Sequence, residues 1–227
     1  MGIKLEEIME KLLHYLKELQ QNNDREWFHA HKSERLAAVQ AFEQLVHELN
    51  AELMKMDETI SLHEPKQLTY RLNRDIRFAK DKTPYMPAFR ANIAPNGKDF
   101  IPVGYYLFLM PGDRSFLGGG LYADGMSEVT NAIRTRITRK PEEFLNIIEQ
   151  PEFARIFEVQ GTKLKRIPRG FEEYKDSELS EWLKHKSWHL AYNLSDDALL
   201  SSQNFVGEAV EIFQLMKPFN HFINGAL

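Results

Sequence analysis

The chain has 227 residues, 43% of them hydrophobic and 27% charged, with a formal net charge of −4 and no cysteine. That length fits one domain with a sizeable core, and the missing cysteines exclude disulfides, thiolate metal sites and cysteine nucleophiles. A mean hydropathy of −0.46 and a pI near 6.1 argue against a membrane-embedded chain and against a protein dedicated to coating nucleic acid.

Between Leu5 and Gln21, the residues Ile8, Leu12, Tyr15, Leu16 and Leu19 recur at three- and four-residue spacing, which predicts an amphipathic helix. Asn22-Asn23-Asp24 breaks it, and Asp24 is placed to cap a short turn carrying Trp27 and Phe28. A second helix is predicted over 32–56, antiparallel to the first, with Leu36, Val39, Phe42, Val46, Leu49 and Leu53 on one face. Past Ile60 the period changes. Residues 67–72 read as a short strand, and 73–87, which end in Pro84 and Pro87, as an ordered loop. Phe89 to Ala94 reads as a strand, and 103–110 and 115–122 as a β-hairpin about the turn Pro111-Gly112-Asp113. Gly118-Gly119-Gly120 lies inside the returning strand, where glycine marks a bulge or the close approach of another backbone or a ligand.

Ser127 is placed to cap a helix whose inner face is Val129, Ile133 and Ile137, and Pro141 and Pro151 suit the first turns of two shorter helices. Lys163 to Arg166 reads as a short strand, Ser177 to Lys184 as a helix and Ser187 to Leu194 as a strand. Phe205 to Lys217 reads as a terminal helix that Pro218 ends or kinks. Helices at both ends and in the middle, with strands grouped at 67–122 and 187–194, give an α+β fold: a mostly antiparallel sheet, an N-terminal helical pair and further packed helices. A single domain over 1–227 is expected, with a helical portion at 1–58 and a mixed portion at 59–227.

Charge inverts at one stretch. The window from Arg71 to Arg90 holds Arg71, Arg74, Arg77, Lys80, Lys82 and Arg90 against Asp75 and Asp81, or +4; with −4 for the whole chain, the remainder carries −8. Such an inversion is the footprint of a site that meets an anion, and equally of an internal ion-pair network. The pattern Arg71-x-x-Arg74-Asp75-x-Arg77-Phe78-x-x-x-Lys82-x-Pro84-Tyr85 resembles the signature of an uncharacterised bacterial family, a conserved hypothetical protein or domain of unknown function. Asn22 to Phe28, Gly118 to Gly120 and Pro168-Arg169-Gly170-Phe171 resemble that family's other blocks in the same order, so the similarity covers nearly the whole chain. It implies an identity and no activity.

Arginine presents a planar fork of donors that matches phosphate and carboxylate oxygens in pairs. Arg71, Arg74, Arg77, Lys82 and Tyr85 therefore form a candidate site for a phosphorylated or otherwise anionic small molecule or nucleotide. Asp75 would orient a guanidinium or hold a divalent metal there, and Arg169, mounted between Pro168 and Gly170, is a possible contributor. Two alternatives stand beside it: a basic surface that engages nucleic acid or an acidic protein, and a scaffold in which Asp75 and Asp81 pair internally with Arg77 and Lys82. Geometry separates them. A pocket needs the cations to converge on one concavity, a groove needs an open stripe, and a scaffold needs each cation saturated by its own carboxylate or carbonyl.

Asn22, Asn23 and Arg25 are further donors in reach of such an anion, although the asparagines and Asp24 suit helix capping better. Arg134 reads as a solvated position, and Trp182 and Trp188 as core. His-Glu-x-x-His, Gly-x-Ser-x-Gly, a complete phosphate loop and Gly-x-Gly-x-x-Gly are all absent, and the eight histidines are scattered. The residues thus offer a candidate binding site beside the scaffold alternative and name no reaction, cofactor or oligomeric state. Met1 to Glu6 lacks an apolar run of signal-peptide length and no run reaches membrane-spanning length, so no membrane partner and a cytoplasmic location are expected.

Overall fold

A computed structural model describes residues 5–122 and 125–227. The chain opens with three helices, α1 (Leu5–Gln21), α2 (Arg25–Ala30) and α3 (Lys32–Met56), and α1 and α3 pack as the expected antiparallel pair. Asp24 caps α2 by accepting from the Trp27 N–H at 2.9 Å, and Asn22 Nδ2 donates to the Glu18 carbonyl at the end of α1. The buried stripe of α3 runs through Ala38, Phe42, Leu45, Val46, Leu49 and Leu53, while Leu36 stands 54% exposed on the far side.

Four strands, β1 (Phe89–Ile93), β2 (Tyr105–Leu109), β3 (Ser115–Leu121) and β4 (Trp188–Leu194), form one antiparallel sheet in the order β1-β2-β3-β4. Register puts Ala91, Leu107 and Leu117 side by side on one face, and Arg90, Phe108 and Phe116 on the other. The first face is the core. Phe42 of α3 stacks on Phe89, and Tyr105 packs on Phe213 of the terminal helix α10 (Phe205–Asn224). A short α4 (Pro65–Leu68) precedes β1; between β3 and β4 run α5 (Ser127–Arg139), α6 (Pro141–Ile148), α7 (Pro151–Ile156), a 3₁₀ turn at Glu172–Tyr174 and α8 (Ser180–Leu183), with α9 (Asp196–Ser201) after β4.

Several expectations are corrected. Residues 67–72 are not a strand: Pro65 at the first helical position, and a Gln67 side chain that accepts from the Glu64 N–H, wind 65–68 into a helical turn. Only Thr69 bridges to Ala91, and the Tyr70 N–H donates to the Arg90 carbonyl. Ser127 does not cap α5 but begins it, with Met126 in the cap position. Lys163–Arg166 supplies a single bridge, Lys163 to His185, and no strand. Pro218 does not end the last helix, which continues to Asn224 because Phe219, Asn220, Phe222 and Ile223 are all buried in the core. Their packing outweighs the one backbone hydrogen bond that proline removes.

Arg134 is the largest departure, only 5% exposed where a solvated position was expected. Its guanidinium donates to the Leu183 and His185 carbonyls at 2.8 and 2.7 Å and to Asn131 Oδ1 at 2.8 Å, and lies over the Trp188 ring. Carbonyl oxygens rather than a carboxylate satisfy it among the described residues.

Candidate functional site

The motif folds as a projecting loop closed at its neck. An antiparallel bridge joins Asn73 to Tyr85, flanked by Met86 N–H to Leu72 carbonyl at 2.7 Å and Arg74 N–H to Pro84 carbonyl at 2.9 Å. The Tyr85 ring is buried and stacks on Phe28 with centroids 3.6 Å apart. Asn23, expected as a cap, instead clamps the Tyr85 backbone: its Nδ2 donates to the carbonyl at 2.9 Å and its Oδ1 accepts from the N–H at 3.1 Å. Two sequence blocks 62 residues apart are thereby joined in one anchor.

Beyond the neck, Arg74, Arg77 and Lys82 are turned on the loop's own acceptors, while Lys80 is exposed. Arg74 Nη1 reaches Asp81 at 2.6 Å, the Thr83 carbonyl at 3.2 Å and Thr83 Oγ1. Arg77 grips Asp75 through Nε and Nη2, at 2.9 and 2.6 Å, and Lys82 donates to the Ile76 carbonyl at 3.0 Å. Bonds from the Thr83 N–H, Arg74 and the Thr83 hydroxyl hold the Asp81 carboxyl down to about 2, and Arg77 lowers that of Asp75. Phe78, at the tip, is 94% exposed. Arg169 lies on an exposed turn at which Gly170 takes φ +90, and it does not line the cleft described next.

Arg71, unlike Arg74 and Arg77, lines a cleft beside the loop. The cleft, of about 440 Å³ between α3, α4 and the strap at 69–73, is lined by Arg71 together with Arg35, Lys66 and Lys98, against one carboxylate, Glu43. Among the described residues none of these charges is in an ion pair. Arg35 is aimed by the Phe28 carbonyl at 2.6 Å and lies 4.1 Å from that residue's ring centroid, and Lys98 makes only long contacts to the Lys66 and Thr69 carbonyls. Phe28, Phe42, Tyr70 and Phe89 supply the apolar walls. Behind Arg71, Arg90 donates to its carbonyl at 3.0 Å and rests over Tyr70. Arg35, Lys66 and Lys98 carried no sequence signal of their own, because they come from separate segments with no shared spacing.

A third polar centre lies between α3, β2 and α10. Asp57, 2% exposed, accepts from Tyr105 Oη at 2.5 Å, from the Thr59 N–H and Oγ1, and from His221 Nε2 at 3.0 Å. Asp57, Glu58 and His221 bring potential metal-ligand atoms within 4.8 Å of one another. Those atoms are engaged with each other and with Tyr105, Thr59 and Lys217, whose Nζ is 2.7 Å from Glu58. The arrangement is a closed network that ties two helices to the sheet.

No helix among the described residues is long and apolar enough to cross a membrane. No curated protein and no solved structure matches the chain. One family profile matches residues 11–222, a span that includes the projecting loop, its Asn23 anchor, the cation cleft and the sheet beneath them. The chain therefore belongs to the family described as conserved hypothetical protein (DUF2461).

Proposed function

We propose that the cleft lined by Arg35, Lys66, Arg71 and Lys98 binds a phosphorylated small molecule or nucleotide, and that the motif loop serves as the frame that holds Arg71 at its mouth. The observation that carries this reading is the contrast between the two sets of cations. Arg74, Arg77 and Lys82 of the loop are closed on Asp75, Asp81 and carbonyls, whereas the cleft's four cations share a single carboxylate and no ion pair among the described residues. Guanidinium forks and ammonium groups beside aromatic walls suit a multiply charged head on an apolar body. On this reading Arg74, Asp75, Arg77 and Lys82 act through the loop's shape, Tyr85 through its anchor, and the protein works in the cytoplasm of a bacterium.

Thermal unfolding of wild type and Arg71→Ala against pyrophosphate and a series of nucleoside mono-, di- and triphosphates tests it. A ligand at one hundred times its Kd adds about 2.7 kcal/mol, worth roughly 5–10 °C in a domain of this size. Wild type should show such a shift with at least one compound, and Arg71→Ala should lose it while melting unliganded within about 1 °C of wild type. If no compound moves wild type, the reading fails. The exposed Phe78 among Arg77, Lys80 and Lys82 favours a second reading, contact with single-stranded nucleic acid. That alternative requires binding of a labelled oligonucleotide that weakens steeply with salt and is lost in Phe78→Ser.

A further inference from the structure

On the sheet face turned away from α10 lies another cavity, about 330 Å³, which shares no residue with the cation cleft. Its floor is β3 at Gly118, its walls are Tyr106, Phe116, Phe100 and Tyr122, and His189 closes one side. No charged side chain lines it among the described residues.

The three glycines of β3 are there for different reasons. A Cβ on Gly119 would come within 2.9 Å of Met216 Sδ and 3.0 Å of Asn220 Oδ1, so α10 requires that glycine. Gly120 has φ +73 and its Cβ would run into the Trp188 carbonyl, so the backbone requires that one. Gly118 is under neither constraint. Its φ lies outside the left-handed region, and a Cβ there would sit 3.3 Å from the Phe116 ring and the Tyr106 Cβ and 3.5 Å from the Leu190 carbonyl, tight contacts but none under 3.0 Å. Glycine in a strand interior costs roughly 0.5–1 kcal/mol relative to alanine, and neither main chain nor α10 demands it at 118 as they do at 119 and 120. What the missing side chain preserves is a bare, flat floor between rings.

The rim is also unlike an ordinary surface. Phe100 is 63% exposed and Tyr122 65% exposed, two large rings left in water beside an apolar cavity. Tyr106 and Phe116 lie with centroids 5.9 Å apart on the floor side, and Tyr122 meets His189 edge-on at 5.3 Å. We propose that this cavity is a binding site for a neutral, planar aromatic ring system of nucleobase size or somewhat larger. Ring walls and a flat floor select a plate over a flexible chain, the volume lies within the range of small-molecule sites, and the lack of charge selects an uncharged ligand.

Titration with N-phenyl-1-naphthylamine, a neutral aromatic probe that fluoresces in apolar surroundings, tests the proposal, with adenosine, lumichrome and 1-decanol as competitors. Wild type should bind the probe saturably at one site, and adenosine or lumichrome should displace it while decanol does not. Phe100→Ala and Tyr122→Ala, whose side chains are too exposed to hold the fold, should each weaken binding by about fivefold or more, as the loss of one stacking partner does. Gly118→Ala should melt cooperatively within about 3 °C of wild type and yet bind more weakly, and Arg71→Ala should bind the probe as wild type does. The proposal is overturned if binding is absent or unsaturable, if both rim variants bind as wild type, or if decanol displaces the probe and the aromatic competitors do not.

Discussion

Asp57→Ala should cost the fold about 3–5 kcal/mol, although the residue lies outside both cavities. The magnitude follows from what its carboxylate leaves behind. Thr59 is exposed and His221 is 32% exposed, so both can turn to water when their acceptor goes. Tyr105 is 1% exposed, and among the described residues its hydroxyl is bonded to Asp57 alone. A stranded buried hydroxyl costs about 1–3 kcal/mol, and the lost charge-assisted bonds from His221 and Thr59 roughly 1.5–3 more. Against a total stability of about 5–15 kcal/mol, that is a large fraction. Urea denaturation at pH 7, followed by circular dichroism, should show the midpoint fall by about 1–2 M with an unchanged slope. The pH profile gives an independent check. Burial opposes the ionised carboxylate, but the bonds from Tyr105, Thr59 and His221 outweigh it and hold the group below its ordinary value. The stabilisation is therefore complete above the unfolded-state pKa of about 4 and is lost as pH falls through the lower folded value. Asp57→Asn should accordingly lose less stability than wild type on acidification below about pH 4. A loss under 1 kcal/mol for the alanine variant, or identical acid limbs for wild type and Asp57→Asn, would refute this account.

The two loop arginines should behave differently. Arg74, whose side chain is 23% exposed, holds Asp81 and Thr83, so Arg74→Ala should lower the melting temperature by about 3–6 °C. Arg77 and Asp75 pair in open solvent, and Arg77→Ala should shift melting by no more than about 1 °C in differential scanning fluorimetry. Gly120→Ala should cost more than about 3 kcal/mol, because a strained φ and a clash with main chain add, and it should show in urea denaturation beside a nearly neutral Gly118→Ala. Arg134→Met should cost about 2–4 kcal/mol by stranding the Leu183 and His185 carbonyls, which calorimetry would register as a lower, still cooperative transition.

The parts of the fold that repeat a period were legible. The bounds of α1 and α3 follow from their apolar spacing and from the Asn-Asn-Asp break, and the hairpin of β2 and β3 from its Pro-Gly-Asp turn. What escaped was set by distant neighbours. α10 runs past Pro218 because the core receives Phe219 to Ile223, and Arg134 is buried because Leu183 and His185 carbonyls, 49 and 51 residues away, meet it there. The charge inversion at 71–90 borders the cation cleft through Arg71, but it could not show that Arg71 lines that cleft while Arg74 and Arg77 close on Asp81 and Asp75. That division depends on the bridge between Asn73 and Tyr85 and on the Asn23 clamp, neither of which has a local signature. Lys66 and Lys98 come to the cleft only because the strap at 69–70 is stitched to β1.

That strap has a counterpart on the opposite side of the sheet. Thr69 and Tyr70 occupy the outer rim of β1, while Gln160 exchanges both main-chain bonds with His189 on β4, at 2.8 and 3.1 Å, and Lys163 bridges to His185 just before it. Both borders are thus partly covered: the strap takes Ala91 and the Arg90 carbonyl on β1 and Gln160 takes His189 on β4, which shortens the edge open to a foreign strand. The exposed rings of Phe78, Phe100 and Tyr122 lie outside β1 and β4, so they add no apolar side chain to the two edge strands at which such pairing would start.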